Sequence, residues 1–365
     1  MSAAVRVPFN VLRPGDDRPA IEAAIARVLD SGWFVLGPEV AAFEAEFAAS
    51  AGASHAVGVN TGTDAIALAL RGLGIGAGDE VITSPLSAAY SALAIDMIGA
   101  RPVFADIDPV RLTLAPDAVA AAVTARTRAV LPVHLYGQPA DMDGIAAVAA
   151  RHGLVVVEDA CQAHGATVAG RPVGRGSAAA AFSFYPTKNL GALGDGGAVT
   201  TDDPALAERV RRLRNGGQSS RYHHDETGVN SRLDELQAAI LRARLPRLAA
   251  ATAARRRLAG RYRAALAAAP VAVPPECDAG HVYHLFPVLT ETRDRVQADL
   301  LARGVETLVH YPVPIPRQPA ARGWSPADCP AADAACARLV SLPLYPSLAA
   351  TAQDDVVAAV LSLSR

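Results

Sequence analysis

Apolar residues in this chain come in short unbroken runs, each followed by a longer alanine-rich stretch with helical spacing. HAVGV (55–59), EVITS (80–84), PVFAD (102–106), AVLPV (129–133), LVVVE (154–158), AAAFSF (179–184) and GGAVT (196–200) read as strands. Runs that are apolar throughout, rather than alternating, belong to strands buried on both faces, as in a parallel sheet. The segments 62–73, 87–98, 116–124 and 141–151 between them read as helices. This alternation predicts an α/β architecture, a mainly parallel seven-stranded sheet flanked by helices.

After the seventh run the pattern changes. A helical stretch over 232–268 is interrupted near Pro246, which ends or kinks it. Beyond PVAVPPE (270–276), the run HVYHLFPVL (281–289) reads as a strand and further helices follow. A chain of 365 residues exceeds one average domain. The expected division is residues 1–245, a large α/β domain with an N-terminal arm, and residues 246–365, a smaller C-terminal α+β domain.

Composition narrows the function classes. Half the residues are hydrophobic, enough for a large core, and the net charge of −2 comes from acids and bases mixed along the chain. No basic face for nucleic acid or membrane emerges from that mixture. No apolar run reaches the length of a membrane span without a break, and the first residues lack the apolar core of a secretory signal. Cys161, Cys277, Cys329 and Cys336 show no paired metal spacing, so no metal is expected. They read as reduced thiols of a cytoplasmic protein.

One composition detail carries chemistry. Of 34 lysines and arginines, only Lys188 is a lysine. A primary amine can lose its proton near neutral pH and condense with an aldehyde or ketone, which a guanidinium cannot. Lys188 sits in AFSFYPTKNLGALGDGGAV (181–199), an apolar, glycine-rich setting unsuited to a solvated charge.

Strands of an α/β sheet deliver residues to a crevice at their carboxyl ends. In NTGTDAIALAL (60–70) a strand ends and Gly62 and Thr63 open a helix, whose free amides and dipole suit a phosphate. The same sequence is also an ordinary helix cap. In LVVVEDACQAHGA (154–166), Asp159 ends an apolar strand and needs a partner, which a protonated ring nitrogen would supply; capping the next turn is the alternative. Gln162 and His164 follow closely, within reach of the same crevice, and His164 taken alone reads as a hydrogen-bonded structural histidine rather than a ligand. In FSFYPTKNLG (182–191), Pro186 ends the strand near Tyr185, and a turn presents Lys188 five residues after Ser183. A phosphate cradle, an acid for a pyridinium and a lone imine-forming lysine together describe pyridoxal 5'-phosphate, PLP.

The ordered segments GTDAIALAL, GDEVIT, GARPVFADID, VHLYGQPADMD, VEDACQAHGA, FSFYPTKNLGALGDGGAV, RNGGQ and GVNSRLDELQAAIL, with HLFPV, VHYPVPIP and SLPLYPSL after them, resemble the sugar aminotransferase family of fold-type I PLP enzymes, the DegT/DnrJ/StrS group. The resemblance runs from about GWFVLGPEV (32–40) to the end. It implies that Lys188 holds PLP as a Schiff base, Asp159 pairs with the pyridine nitrogen and Gln162 contacts the ring hydroxyl. Gly62, Thr63 and Ser183 would contact the phosphate. Asn230 matches an asparagine that reaches the phosphate of the neighbouring subunit, which implies a homodimer with shared active sites. Arg232 would anchor that loop by a salt bridge. Tyr185, His310 and Tyr311 are candidate substrate contacts, with ordinary packing as the other reading. One departure stands out. The family places an aromatic stacker after the second strand, in a motif like TFVAT, where this chain has Ala88, and Tyr90 is on a different helical face.

The resemblance implies transamination from an amino acid, L-glutamate, to a nucleotide-linked keto-sugar, with a 3-keto-6-deoxyhexose favoured and a cyclitol ketone as an alternative. A sugar dehydratase on the same fold is a second reading, although such relatives carry histidine in place of the lysine or clustered cysteines. A regulatory protein that kept the fold is a third, and no helix-turn-helix or basic face supports it. The loop RYHHDETG (221–228) reads as solvated, near the dimer interface, rather than as a metal site.

Overall fold

The computed structural model describes residues 5–324 and 327–363. The outer ends of the two expected domains, residues 1–4 and 364–365, lie outside them. The seven apolar runs form β1 (His55–Val59), β2 (Glu80–Thr83), β3 (Arg101–Phe104), β4 (Thr127–Leu131), β5 (Val155–Asp159), β8 (Ala179–Ser183) and β9 (Gly197–Thr201). Between β5 and β8 the chain makes a short hairpin, β6 (Thr167–Val168) with β7 (Arg171–Pro172). The large sheet has the order β1-β9-β8-β5-β4-β2-β3. It is parallel except for β9, which runs antiparallel to both neighbours. Two reversals restore direction, so β1 runs the same way as β8. The carboxyl ends of β1, β5 and β8 therefore share one edge, and β9 starts there.

Helices α2 (Pro38–Ala51), α3 (Gly62–Gly72), α4 (Tyr90–Met97), α5 (Pro116–Ala122), α6 (Met142–His152) and α7 (Pro204–Leu213) flank the sheet, while α1 (Arg18–Ser31) packs Ala24 and Val28 on Ala239. On one side α3 and α7 pack against β1, β5, β8 and β9 through Ile66, Leu70, Val157 and Val199. On another, α2 brings Phe43 and Phe47 against Phe182 and Phe184 of the β8 segment. Ser183, between those two phenylalanines, takes the opposite face by the two-residue strand period. After a hairpin, β10 (Gln218–Ser220) with β11 (His223–His224), come α8 (Glu235–Arg244), a short 3-10 turn over Leu245–Arg247 and α9 (Leu248–Ala265), so Pro246 does divide the helical stretch. The C-terminal part holds β12 (Phe286–Leu289) paired with β13 (Leu339–Leu342), and α10 (Arg293–Ala302), α11 (Pro330–Arg338) and α12 (Ala350–Leu361). Its own core joins Tyr262, Phe286, Val340 and Val356. Val7 enters that core, beside its bridge to Val305.

Three details differ from the sequence reading. The helix expected from residue 87 starts at Tyr90, because residues 85–87 bend after Pro85. The strand expected over 281–289 is ordered as β12 only from Phe286. Upstream, Tyr283 takes a positive φ of 47°, and Val282 and His284 donate to the Gly137 and Tyr136 carbonyls instead. His164 does not reach the crevice with a polar atom. Its ring packs 5.5 Å from Phe182 and 5.7 Å from Phe184. Neither nitrogen has a hydrogen-bond partner in normal geometry, although the Ser183 backbone lies near enough to favour protonation slightly.

Burial, with the Lys188 charge adding to it, pulls the His164 imidazole from 6.5 down to about 3. The unfolded chain takes up a proton as pH falls through about 6.5, while the native chain does not until far lower. His164 therefore contributes stability that is fully present above pH 6.5 and is lost toward about 3, at about 1.4 kcal/mol per pH unit for one proton. His164→Phe should flatten the fall in urea midpoint between pH 6.5 and 4.5 relative to the parent protein; an unchanged slope would remove His164 as the cause.

Candidate active site

The shared sheet edge gathers chemistry from several elements. Thr61 caps α3, its side chain accepting from the Asp64 amide at 3.0 Å, while the Thr61 carbonyl takes the Ala65 amide. The amides of Gly62 and Thr63 are the helix-start donors that no residue within the helix can satisfy. Gly62 is buried against β8 and the turn after β5. A Cβ there would stand 2.7 Å from Ser183 Cβ and 2.8 Å from Cys161 Sγ. Only glycine lets the first turn of α3 come this close to Ser183. Gly197 makes the second close approach, since a Cβ there would meet the Thr61 carbonyl oxygen at 2.3 Å. The result is a narrow cradle of amides and one hydroxyl suited to a phosphate.

Asp159 ends β5 and is 5% exposed. Its Oδ2 accepts from Ser91 Oγ at 2.7 Å and its Oδ1 from the Cys161 amide at 3.1 Å. Both donors are uncharged. The cation facing the carboxylate is Lys188, and burial pushes that ammonium below its usual range while the nearby Cys161 and Asp159 pull it back up. A buried carboxylate held by neutral donors opposite a weakened cation suits a protonated ring nitrogen placed beside it. These observations fit PLP: a cradle for phosphate, an acid for the ring and an amine for the aldehyde.

Lys188 follows β8 in a turn closed by its own amide, which donates to the Tyr185 carbonyl at 2.8 Å. The strand ends at Ser183, so Pro186 acts slightly earlier than the sequence suggested. Gln162 is buried; its Oε1 accepts from the Tyr136 amide at 2.7 Å and its Nε2 donates to the Tyr311 hydroxyl at 3.1 Å. Tyr311 thus reaches the crevice from the C-terminal part, and burial pushes its phenol up to about 12. His310 stands 3.0 Å by Nδ1 from Ser341 Oγ and touches Phe9. Burial, then the Lys188 charge, pulls it down to about 4, so it is neutral at pH 7. Tyr185 is half exposed, and its amide donates to Ser183 Oγ at 3.3 Å.

Asn230 is exposed and its backbone bridges Asn215. The adjacent Ser231 hydroxyl donates to Asp64 and accepts from the Asn60 amide, which ties this loop to the start of α3. Arg232 anchors the loop by donating to the Asn215 side chain at 3.1 Å, a neutral acceptor where a salt bridge was expected. Ala88 is partly buried and Tyr90 is 63% exposed at the start of α4. His223 and His224 are exposed, and no metal-binding group appears among the described residues. Sequence reasoning missed Ser91 and Tyr136. Ser91 lies 68 residues before its partner, and nothing local marks it.

Gly62→Ala should leave a folded protein whose apo form binds PLP roughly tenfold more weakly, the equivalent of one lost charge-assisted hydrogen bond. Pyridoxal, which lacks the phosphate, should bind both forms alike in the same absorbance titration. Equal loss for both ligands would place the phosphate elsewhere.

Known proteins share this sequence and fold. Residues 16–361 match the profile of the DegT/DnrJ/EryC1/StrS aminotransferase family. The dTDP-3-amino-3,4,6-trideoxy-alpha-D-glucose transaminase of Streptomyces venezuelae is 53% identical over 349 residues, covering 94% of this chain and 92% of that protein. The crystal structure of S. venezuelae DesV in complex with a ketimine intermediate has a TM-score of 0.96 at 50% identity, covering 99% of this chain and 100% of that one. NtdA from Bacillus subtilis, with bound cofactor PMP, has a TM-score of 0.92 at 32% identity over 98% of this chain and 84% of its own. With a full-length match of sequence and fold around a crevice that fits the cofactor, the chain belongs to the DegT/DnrJ/EryC1/StrS aminotransferase family and is a PLP-dependent aminotransferase.

Proposed function

We propose that this enzyme transfers the amino group of L-glutamate to the ketone of a nucleotide-linked sugar, a 3-keto-6-deoxyhexose. The observation that carries the sugar reading is the 53% identity, over nearly the whole chain, to a transaminase named for a dTDP-3-amino-3,4,6-trideoxyhexose. A second relative, 43% identical, is named for a dTDP-3-amino-3,6-dideoxyhexose.

PLP supplies an electron-withdrawing ring that carries the amino group between the two substrates. The protein's own part is positional and acid–base. The Gly62 and Thr63 amides and the Ser183 hydroxyl hold the phosphate, supported by the close approach of Gly62 to Ser183. Asp159 holds the proton on the ring nitrogen, and Gln162 orients the ring through its hydroxyl. Lys188 Nζ, kept toward the neutral amine by burial, would take the proton from the donor's α-carbon and carry it in a 1,3 shift across the intervening nitrogen. In the second half-reaction the same nitrogen moves the proton the other way. Tyr185, His310 and Tyr311 line the substrate side of the crevice. His310, neutral at pH 7, is an acceptor or donor for sugar hydroxyls rather than an anion binder.

The functional unit in this reading is a homodimer in which Asn230 reaches the phosphate site of its partner. Its exposure leaves it free to meet a partner subunit, which supports that reading. The two-domain division at 245/246 is supported by the helix break at Leu245–Arg247 and the separate C-terminal core. A cytoplasmic location follows from nucleotide-sugar chemistry, and no helix among the described residues is long and apolar enough to cross a membrane.

Purified protein incubated with PLP, glutamate and a panel of nucleotide keto-sugars should yield an aminated sugar and 2-oxoglutarate by mass spectrometry. Lys188→Arg should fold yet lose the visible absorbance of lysine-bound cofactor and all turnover, because a guanidinium stays protonated. A ketodeoxy sugar without nitrogen, or turnover retained by Lys188→Arg, contradicts the proposal.

A further inference from the structure

Asp159 can serve the ring nitrogen only if its carboxylate is held in one orientation. We propose that Ser91 is the positioning residue that holds it there. It rests on the role proposed for Asp159 above. Ser91 lies in the first turn of α4 and is 2% exposed. Its hydroxyl stands 2.7 Å from Asp159 Oδ2, and an ionised carboxylate only accepts, so Ser91 is the donor. Ser87 Oγ, also buried, is 3.4 Å behind Ser91 Oγ. A proton donated by Ser87 leaves the Ser91 proton committed to Asp159 and strengthens it. The opposite oxygen, Oδ1, accepts from the Cys161 amide at 3.1 Å. The carboxylate is thus held at both oxygens.

The two donors differ in what they allow. The Cys161 amide belongs to the main chain of the turn after β5, so no side-chain substitution removes it. The Ser91 hydroxyl comes from a separate helix and is supplied by a side chain, so it can be removed alone. The titratable groups facing Asp159 are the Lys188 amine, the Cys161 thiol and the Tyr311 phenol. Burial pushes both the thiol and the phenol up, so neither is charged near pH 7. Among these neighbours Ser91 therefore bears on the carboxylate through a short, buried bond at neutral pH. Its donation holds the carboxylate in the orientation in which it can accept from the ring nitrogen.

Without it the carboxylate would turn and hold the ring-nitrogen proton less well. The ring would then carry less positive charge, and the nitrogen joining Lys188 to the cofactor would keep its own proton to higher pH. Ser91→Ala should thus raise the pH midpoint of the visible band of lysine-bound cofactor. It should also weaken PLP binding to the apoprotein roughly tenfold, the scale of one hydrogen bond to a charged group. The value of kcat should fall while KM for glutamate stays within about twofold of the parent. Ser91→Thr retains the hydroxyl and should restore the parental midpoint and affinity. Asp159→Asn is the reference, expected to shift the midpoint further.

The outcomes separate the two readings. If Asp159→Asn moves the midpoint and Ser91→Ala does not, the Ser91 proposal is overturned and the Asp159 role stands. If neither moves it, the Asp159 role itself is overturned. A loss in Ser91→Ala that Ser91→Thr fails to restore would assign the effect to packing and also overturn the proposal. A raised midpoint restored by threonine supports it.

Discussion

A carboxylate buried at the end of a central strand constrains everything around it. Asp159 is removed from water, and its hydrogen bonds come from two uncharged groups, Ser91 and the Cys161 amide. Such an arrangement is stable in the long run only with a cation alongside. The protein offers Lys188, and burial makes that amine a poor permanent cation. A protonated heterocycle would resolve the conflict, since it would satisfy the carboxylate and leave the amine free to react as a neutral base.

The sheet topology brings the other requirements to the same place. Because β9 reverses direction between β1 and β8, the start of α3 and the end of β8 lie at one edge, beside the end of β5. Two glycines then allow contact that any side chain would prevent, Gly62 against Ser183 and Gly197 against Thr61. Behind the edge, Phe43, Phe47, Phe182 and Phe184 pack edge-to-face, which anchors the strand that carries Ser183 and leads to Lys188. The polar edge and the aromatic layer are two faces of one strand.

Much of this was legible in the chain, for identifiable reasons. The strands of the large sheet announce themselves because burial on both faces demands uninterrupted apolar runs. Lys188 is conspicuous as a lone amine among arginines, and Asp159 as an acid closing the run LVVVE. What was not legible depends on contacts between distant segments. Ser91 looks like any polar residue on a helix until the fold sets it against Asp159. Tyr283 leaves the expected strand because backbone partners near Gly137 compete for Val282 and His284. His164, read as a hydrogen-bonded structural histidine within reach of the crevice, packs its ring on Phe182 and Phe184 without a hydrogen-bond partner. The local bend after Pro85 also moved the start of α4, so the rotational argument about Ala88 and Tyr90 applied to a helix that had not yet begun. The segment contributes the Ser87 and Ser91 hydroxyls behind the acid.

The account stands on a covalent bond between PLP and the single lysine of the chain. Reduction of the PLP-loaded protein with borohydride, followed by proteolysis and mass spectrometry of the peptides, reads that bond directly. A pyridoxyl mass addition on the peptide containing Lys188, and on no other, is the result predicted. An unmodified Lys188 peptide, or a tag confined to the N-terminal amine, would contradict it.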